Sequence, residues 1–124
     1  MRVNPDLVIL ELGANDGLRG LDPDVTKNNL AIIIRRIQAK GAVVLLAGMR
    51  APPNLGVDYG AAFDNIFPDL ANIHQLDFYP FFLDGVASKS ELNLADGIHP
   101  NKSGIKVIVE GILPTVKRSL EKIR

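Results

Sequence analysis

The sequence predicts an α/β domain built on a parallel sheet, and three observations predict it. Two short apolar runs, Leu7-Val8-Ile9-Leu10 and Val43-Val44-Leu45-Leu46-Ala47, lack polar alternation, the pattern of strands buried on both faces. Longer segments carry apolar residues at helical spacing. The two kinds alternate along the chain, which implies parallel strands joined by right-handed crossovers.

The elements follow in order. Asp6–Leu12 reads as the first strand, ending in the turn-rich Gly13-Ala14-Asn15-Asp16-Gly17. Asp22 is the expected cap of a helix with Pro23 at its first position. Its Leu30, Ile33, Ile34 and Ile37 share one face, and Gly41 stops it. Val43–Ala47 is the second strand, and Met49–Gly56 a loop at its carboxyl end. A helix from about Asp58 to Ala71 turns Tyr59, Ala62, Phe63, Ile66, Phe67 and Leu70 inward, with Pro68 distorting its last turn. Leu76–Tyr79 is a short third strand. The final helix places Ile105, Ile108, Val109, Ile112, Val116 and Leu120 on its inner face, with a kink expected at Pro114.

At 124 residues the chain suits one domain, residues 1–124, and 47% apolar residues exclude a disordered chain. Fourteen basic residues balance fourteen acidic ones, so no basic stripe points to nucleic acid and no charge run to an anionic membrane. Without Cys there is no disulfide, thiolate metal site or thiol nucleophile. No apolar run is long enough to span a bilayer, and the chain shows no signal-peptide pattern.

Ligands of open parallel sheets bind beyond the carboxyl ends of the strands. Three polar clusters fall there: Gly13–Asp16, Met49–Gly56 and Asp96–His99. An Asp three residues before a His, in one turn, can reach its Nδ1 and hold the tautomer a general base needs. On that spacing alone, a turn cap beside a surface histidine weighs more. Asn15 can donate its amide to an oxyanion, or belong to ordinary turn chemistry. Asp16 reads as structural, and His74 has no partner at a suggestive spacing. No phosphate-binding glycine pattern and no metal-ligand cluster is present.

Together these segments resemble the SGNH (GDSL) hydrolases, most closely the bacterial acyl-CoA thioesterase I/lysophospholipase group and its arylesterase relatives. Val8-Ile9-Leu10-Glu11-Leu12-Gly13-Ala14-Asn15-Asp16-Gly17-Leu18-Arg19-Gly20 resembles that family's G-x-N-D block, and Asp96-Gly97-Ile98-His99-Pro100-Asn101 its D-x-x-H-P block. Arg50–Tyr59 is similar to its mobile substrate-binding loop. The resemblance implies a flavodoxin-like, three-layer α/β/α fold with a parallel sheet. It implies hydrolysis of acyl esters or thioesters, with His99 as base, Asp96 as its orienter and Asn15 in the oxyanion hole. Gly13, Arg50, Pro52, Pro53, Asn54 and Tyr59 would contact substrate, and neither metal nor organic cofactor is implied.

The family's G-D-S-L block, which carries the nucleophilic serine, has no match here. Ser88, Ser90, Ser103 and Ser119 all stand in other contexts, so no nucleophile is found. The expectation is a fold lacking its first two strand–helix units, inactive by itself, that self-associates through an exposed Leu7–Leu12 edge. A catalytically dead interaction module and one half of a split hydrolase are the alternatives. A soluble protein, periplasmic or secreted, fits the resemblance; the compartment stays open.

Overall fold

A computed structural model of the chain describes residues 3–123. Three parallel strands, β1 (Leu7–Leu10), β2 (Val43–Ala47) and β3 (Asp77–Tyr79), form one sheet in the order β1-β2-β3. The helices are α1 (Ala14–Arg19), α2 (Pro23–Ala39), α3 (Val57–Asp64), α4 (Ile66–His74) and α5 (Lys102–Glu121). Short 3₁₀ turns occupy Pro53–Leu55 and Ser90–Leu92.

Right-handed crossovers put α2 and α4 on one face of the sheet. Val8, Leu10, Val44, Leu46 and Phe78 point that way, into a core shared with Leu30, Ile34, Phe63 and Phe67. Strand alternation sends Leu7, Ile9, Val43, Leu45, Asp77 and Tyr79 to the other face. There α5 lies, fixed by the buried Ser119 hydroxyl, which donates to Asp77 Oδ2 at 2.7 Å, and by Lys122 pairing with Asp77 Oδ1. Burial raises the Asp77 carboxyl, but these hydrogen bonds outweigh it and leave it below its ordinary value.

The local chemistry explains most boundaries. Asp22 caps α2 by accepting from Asp24 N at 2.9 Å, with Pro23 in the first turn. Asn101 caps α5 by accepting from Gly104 N at 2.9 Å. Pro114 sits inside α5, which runs on to Glu121.

Four expectations need correction. Gly13–Gly17 is no plain turn: Gly13 adopts φ 100° and leads into α1, which Gly20 ends at φ 66°. β1 stops at Leu10, and it is not buried on both faces, because it is an edge strand and Ile9 is 45% exposed. The expected 58–71 helix is two helices that meet at Asn65. Pro68 lies in the first turn of α4 rather than distorting a last turn. Its ring excludes the carbonyl four residues back, at Asp64, which is where α3 ends. Ala62 is consequently exposed. On α5 the buried side is Gly104, Ile108, Ile112, Thr115 and Ser119, while Ile105, Val109 and Leu120 face outward.

An aromatic column ties the halves of this core. Tyr59 stacks on Phe63 at 6.2 Å, and Phe63 meets Phe67 edge-on at 5.7 Å across the α3–α4 break. Gly17 of α1 is buried on Phe63: a Cβ there would lie 2.8 Å from Cζ of the ring. Gly17→Ala is therefore expected to cost about 1–3 kcal/mol through overpacking, read as a lower urea midpoint. Adding Phe63→Leu should recover part of that loss; strict additivity of the two changes would contradict the contact.

Candidate active site

The carboxyl ends of β1 and β2 open into a cleft reached by two of the three polar clusters, Gly13–Asp16 and Asp96–His99, and by Met49 alone of the third. Behind β1, Gly13 lets the chain turn sharply into α1, so Asn15 emerges in the first helical turn. Asp16 lines the same cleft, and its Oδ2 accepts from the buried Thr26 hydroxyl at 2.8 Å, tying α1 to α2 rather than capping backbone amides of the turn. Asn15 is exposed, and its amide makes no hydrogen bond among the described residues. It is free to donate outward.

The second cluster sits on a loop closed by backbone and amide ties. Asn93 and Pro100 form an antiparallel bridge, and Leu94 N donates to His99 O at 2.7 Å. The Asn93 amide donates to Val86 O and Lys89 O, and the Asn101 amide to Glu91 O and Asn93 O. Within this frame Asp96 Oδ1 accepts from the backbone N–H groups of Ile98 and His99, while Oδ2 meets His99 Nδ1 at 2.6 Å. A carboxylate on Nδ1 fixes the tautomer with Nε2 as acceptor. The imidazole side chain is 71% exposed, so Nε2 is open to a reactant.

Gly13, Asn15 and His99 line one cleft of about 500 Å³, and Asp96 stands behind His99. Buried Leu30 and Met49 form part of its apolar wall, and exposed Leu12, Leu18 and Ile98 part of its rim. Sequence reasoning missed Phe82 and Leu83, which reach the cleft because Phe82 N is held by Gly48 O at 2.9 Å. It also missed Glu11, whose place at the end of β1 was the available signal. Burial pushes its carboxyl above the ordinary value.

Arg50, Pro52, Pro53, Asn54 and Tyr59 do not line the cleft. The ends of this loop are held elsewhere: Arg50 lies 4.4 Å over the Phe81 ring, and Ala51 N donates to Asp64 Oδ1. Tyr59 donates its hydroxyl to Leu21 O at 2.6 Å, beside the end of α1. No serine lines the cleft, and the Ser119 hydroxyl is committed to Asp77. Among the described residues no group of three His, Cys, Asp or Glu side chains is placed to hold a metal, and no helix is long and apolar enough to cross a membrane.

The hydrogen bond to the His99 ring, and then those from the His99 and Ile98 backbone, hold the Asp96 carboxyl down at about 2. A depressed acid stabilises the loop above the unfolded-state value, and that contribution is lost as pH falls through the folded one. The Asp96–His99 pair should thus persist at pH 4 and open only as pH falls toward 2. Carboxyl ¹³C shifts followed by NMR check this; an Asp96 midpoint at the ordinary 3.8 would mean the bond is not formed.

Known proteins resemble this chain in sequence and in fold. The chain is 42% identical to an arylesterase of Vibrio mimicus, over 94% of this chain and 58% of that protein. It is 42% identical to esterase TesA of Pseudomonas aeruginosa, over 91% of this chain and 56% of that one. It therefore spans a little over half the length of these relatives. The crystal structure of TesA superposes on it with a TM-score of 0.90 at 40% identity, covering 95% of this chain and 66% of that chain. Residues 1–107 match the GDSL-like lipase/acylhydrolase family, and the chain belongs to that family.

Proposed function

We propose that this chain supplies the base and an oxyanion donor of a serine-type hydrolase acting on acyl esters or thioesters. The observation that carries the reading is the 2.6 Å Asp96–His99 contact in a rigid loop, with the open imidazole sharing a cleft with Asn15. In such a site His99 Nε2 takes the proton of a nucleophilic hydroxyl and returns it to the leaving group. Asp96 stabilises the imidazolium while it exists, and the Asn15 amide donates to the tetrahedral oxyanion. Gly13 gives substrate close access to the turn. The apolar wall of Leu30 and Met49 suits a hydrocarbon acyl chain.

The nucleophile, on this reading, comes from a segment without a counterpart among residues 3–123, and the chain alone turns over no ester. The Arg50–Tyr59 loop contributes indirectly, through its hold on the end of α1. Without another occupant, the free β1 edge pairs with a second copy.

A chimera tests the chemistry. The matched part of the Vibrio mimicus arylesterase is replaced by residues 3–123, and hydrolysis of p-nitrophenyl butyrate is followed. The chimera should be active, Asn15→Ala should lower kcat by about 10²–10³, and His99→Ala by about 10⁶. A folded but inert chimera, or one indifferent to His99→Ala, would sink the reading. The unmodified chain, treated with a fluorophosphonate, should keep its intact mass; a stoichiometric adduct would place an activated serine within it.

A further inference from the structure

Asp-Gly is the dipeptide at which an aspartyl carboxyl most readily reacts with its own backbone, because glycine has no Cβ to obstruct the approach. The sequence contains three, Asp16–Gly17, Asp84–Gly85 and Asp96–Gly97, and no Asn-Gly. The fold treats them differently. In the first, Gly17 is buried in α1 and its N–H donates to Gly13 O at 3.1 Å, while Thr26 holds Asp16 Oδ2. In the third, Gly97 N donates to Leu94 O at 2.9 Å, and the Asp96 carboxylate takes three donors. At both sites the attacking nitrogen and the carboxyl are occupied.

At Asp84–Gly85 neither is. Val86 N donates to Leu83 O at 2.9 Å, and φ is positive at Gly85 (81°) but not at Asp84, the pattern of a type II turn. Asp84–Gly85 is the central peptide of that turn, so its N–H takes no part in the closing hydrogen bond. Among the described residues this N–H has no acceptor, and the Asp84 carboxylate has neither a hydrogen bond nor an ion pair. Both residues are exposed. The next one is not: Val86 is fully buried, and its carbonyl accepts from the Asn93 amide at 2.9 Å, part of the frame around His99. On the other side, Phe82 and Leu83 line the cleft.

We propose that Asp84–Gly85 is a site of spontaneous isoaspartate formation. The Gly85 nitrogen attacks Asp84 Cγ: the N–Cγ bond forms, and a carboxyl oxygen leaves as water with the amide proton and the acid proton. A second water opens the five-membered succinimide at the former peptide carbonyl. The chain then runs through Cβ and carries a free α-carboxylate. One backbone carbon has been added between the cleft wall at Leu83 and the anchor at Val86, and the Val86–Asn93 tie loosens. The new α-carboxylate is a substrate for methyl transfer from a sulfonium donor. The chemistry needs no nucleophilic serine, so it stands or falls apart from the hydrolase reading.

The test keeps the chain for several weeks at neutral pH and body temperature, in buffer and in urea. Isoaspartate is then read peptide by peptide, by an isoaspartyl methyltransferase with tritiated S-adenosylmethionine and by electron-transfer fragmentation. In buffer, attack at Asp16 and Asp96 must wait for local opening, so the Asp84 peptide should hold at least about tenfold more isoaspartate than either. In urea the three should converge. Asp84→Glu, at an exposed position, should abolish the signal without shifting the thermal melt, because the six-membered ring closes far more slowly. Three outcomes would each overturn the proposal: equal isoaspartate at the three sites in buffer, an Asp84 that stays intact in buffer, or a signal that survives Asp84→Glu.

Discussion

The bare backbone of Gly17 lies on the ring of Phe63, and the position of Asn15 depends on that contact. Six residues are too few to hold a helix through propensity, so α1 exists because tertiary packing holds it. Phe63 can support it because α3 stops at Asn65 and α4 starts again, which lets Phe63 and Phe67 meet edge to face under α1. Gly13, at the other end of this turn, faces Phe67 and Thr26, which a Cβ there would touch at 3.4 and 3.6 Å. Buried Thr26 in turn holds Asp16. One donor at the cleft thus traces back through two glycines and two phenylalanines to a proline at position 68.

The other half of the cleft is built on a different logic. Leu94–His99 are all exposed, and their order comes from hydrogen bonds. The amides of Asn93 and Asn101 each reach two carbonyls, and the carboxylate of Asp96 takes three donors. Such a frame keeps an exposed imidazole in one orientation without burying it. The cleft joins a packed wall to a hydrogen-bonded one.

What was legible in the sequence follows from this difference. The Asp96–His99 contact was open to view because its partners are three residues apart in one turn, but the spacing alone favoured a turn cap, and only the family resemblance raised the pair above it. The strand cores and the Asp22–Pro23 helix start were legible for the same local reason. The existence of α1 was not, because Gly, Asn and Asp all favour turns and the deciding contact is to a phenylalanine far along the chain. The inward face of α5 was misjudged because apolar residues cover a wide arc of it. The choice is made by Thr115 and Ser119, polar residues buried through partners that hydropathy does not register. The Arg50–Tyr59 loop matched a family pattern, but its anchors, Asp64, Phe81 and Leu21, lie outside the segment itself.

The tie between Ser119 and Asp77 also bears on the order in which the chain folds. Its partners are 42 residues apart in sequence, and those of Lys122 and Asp77 are 45 apart. The crossovers β1–α2–β2 and β2–α4–β3 close nearer neighbours and can form while the chain is still emerging. Docking of α5 must then come last, and until it does the Leu45 face of the nascent sheet stays wet. Among the described elements α5 is the last to dock, and a chain cut before residue 119 keeps the Leu45 face of its sheet open.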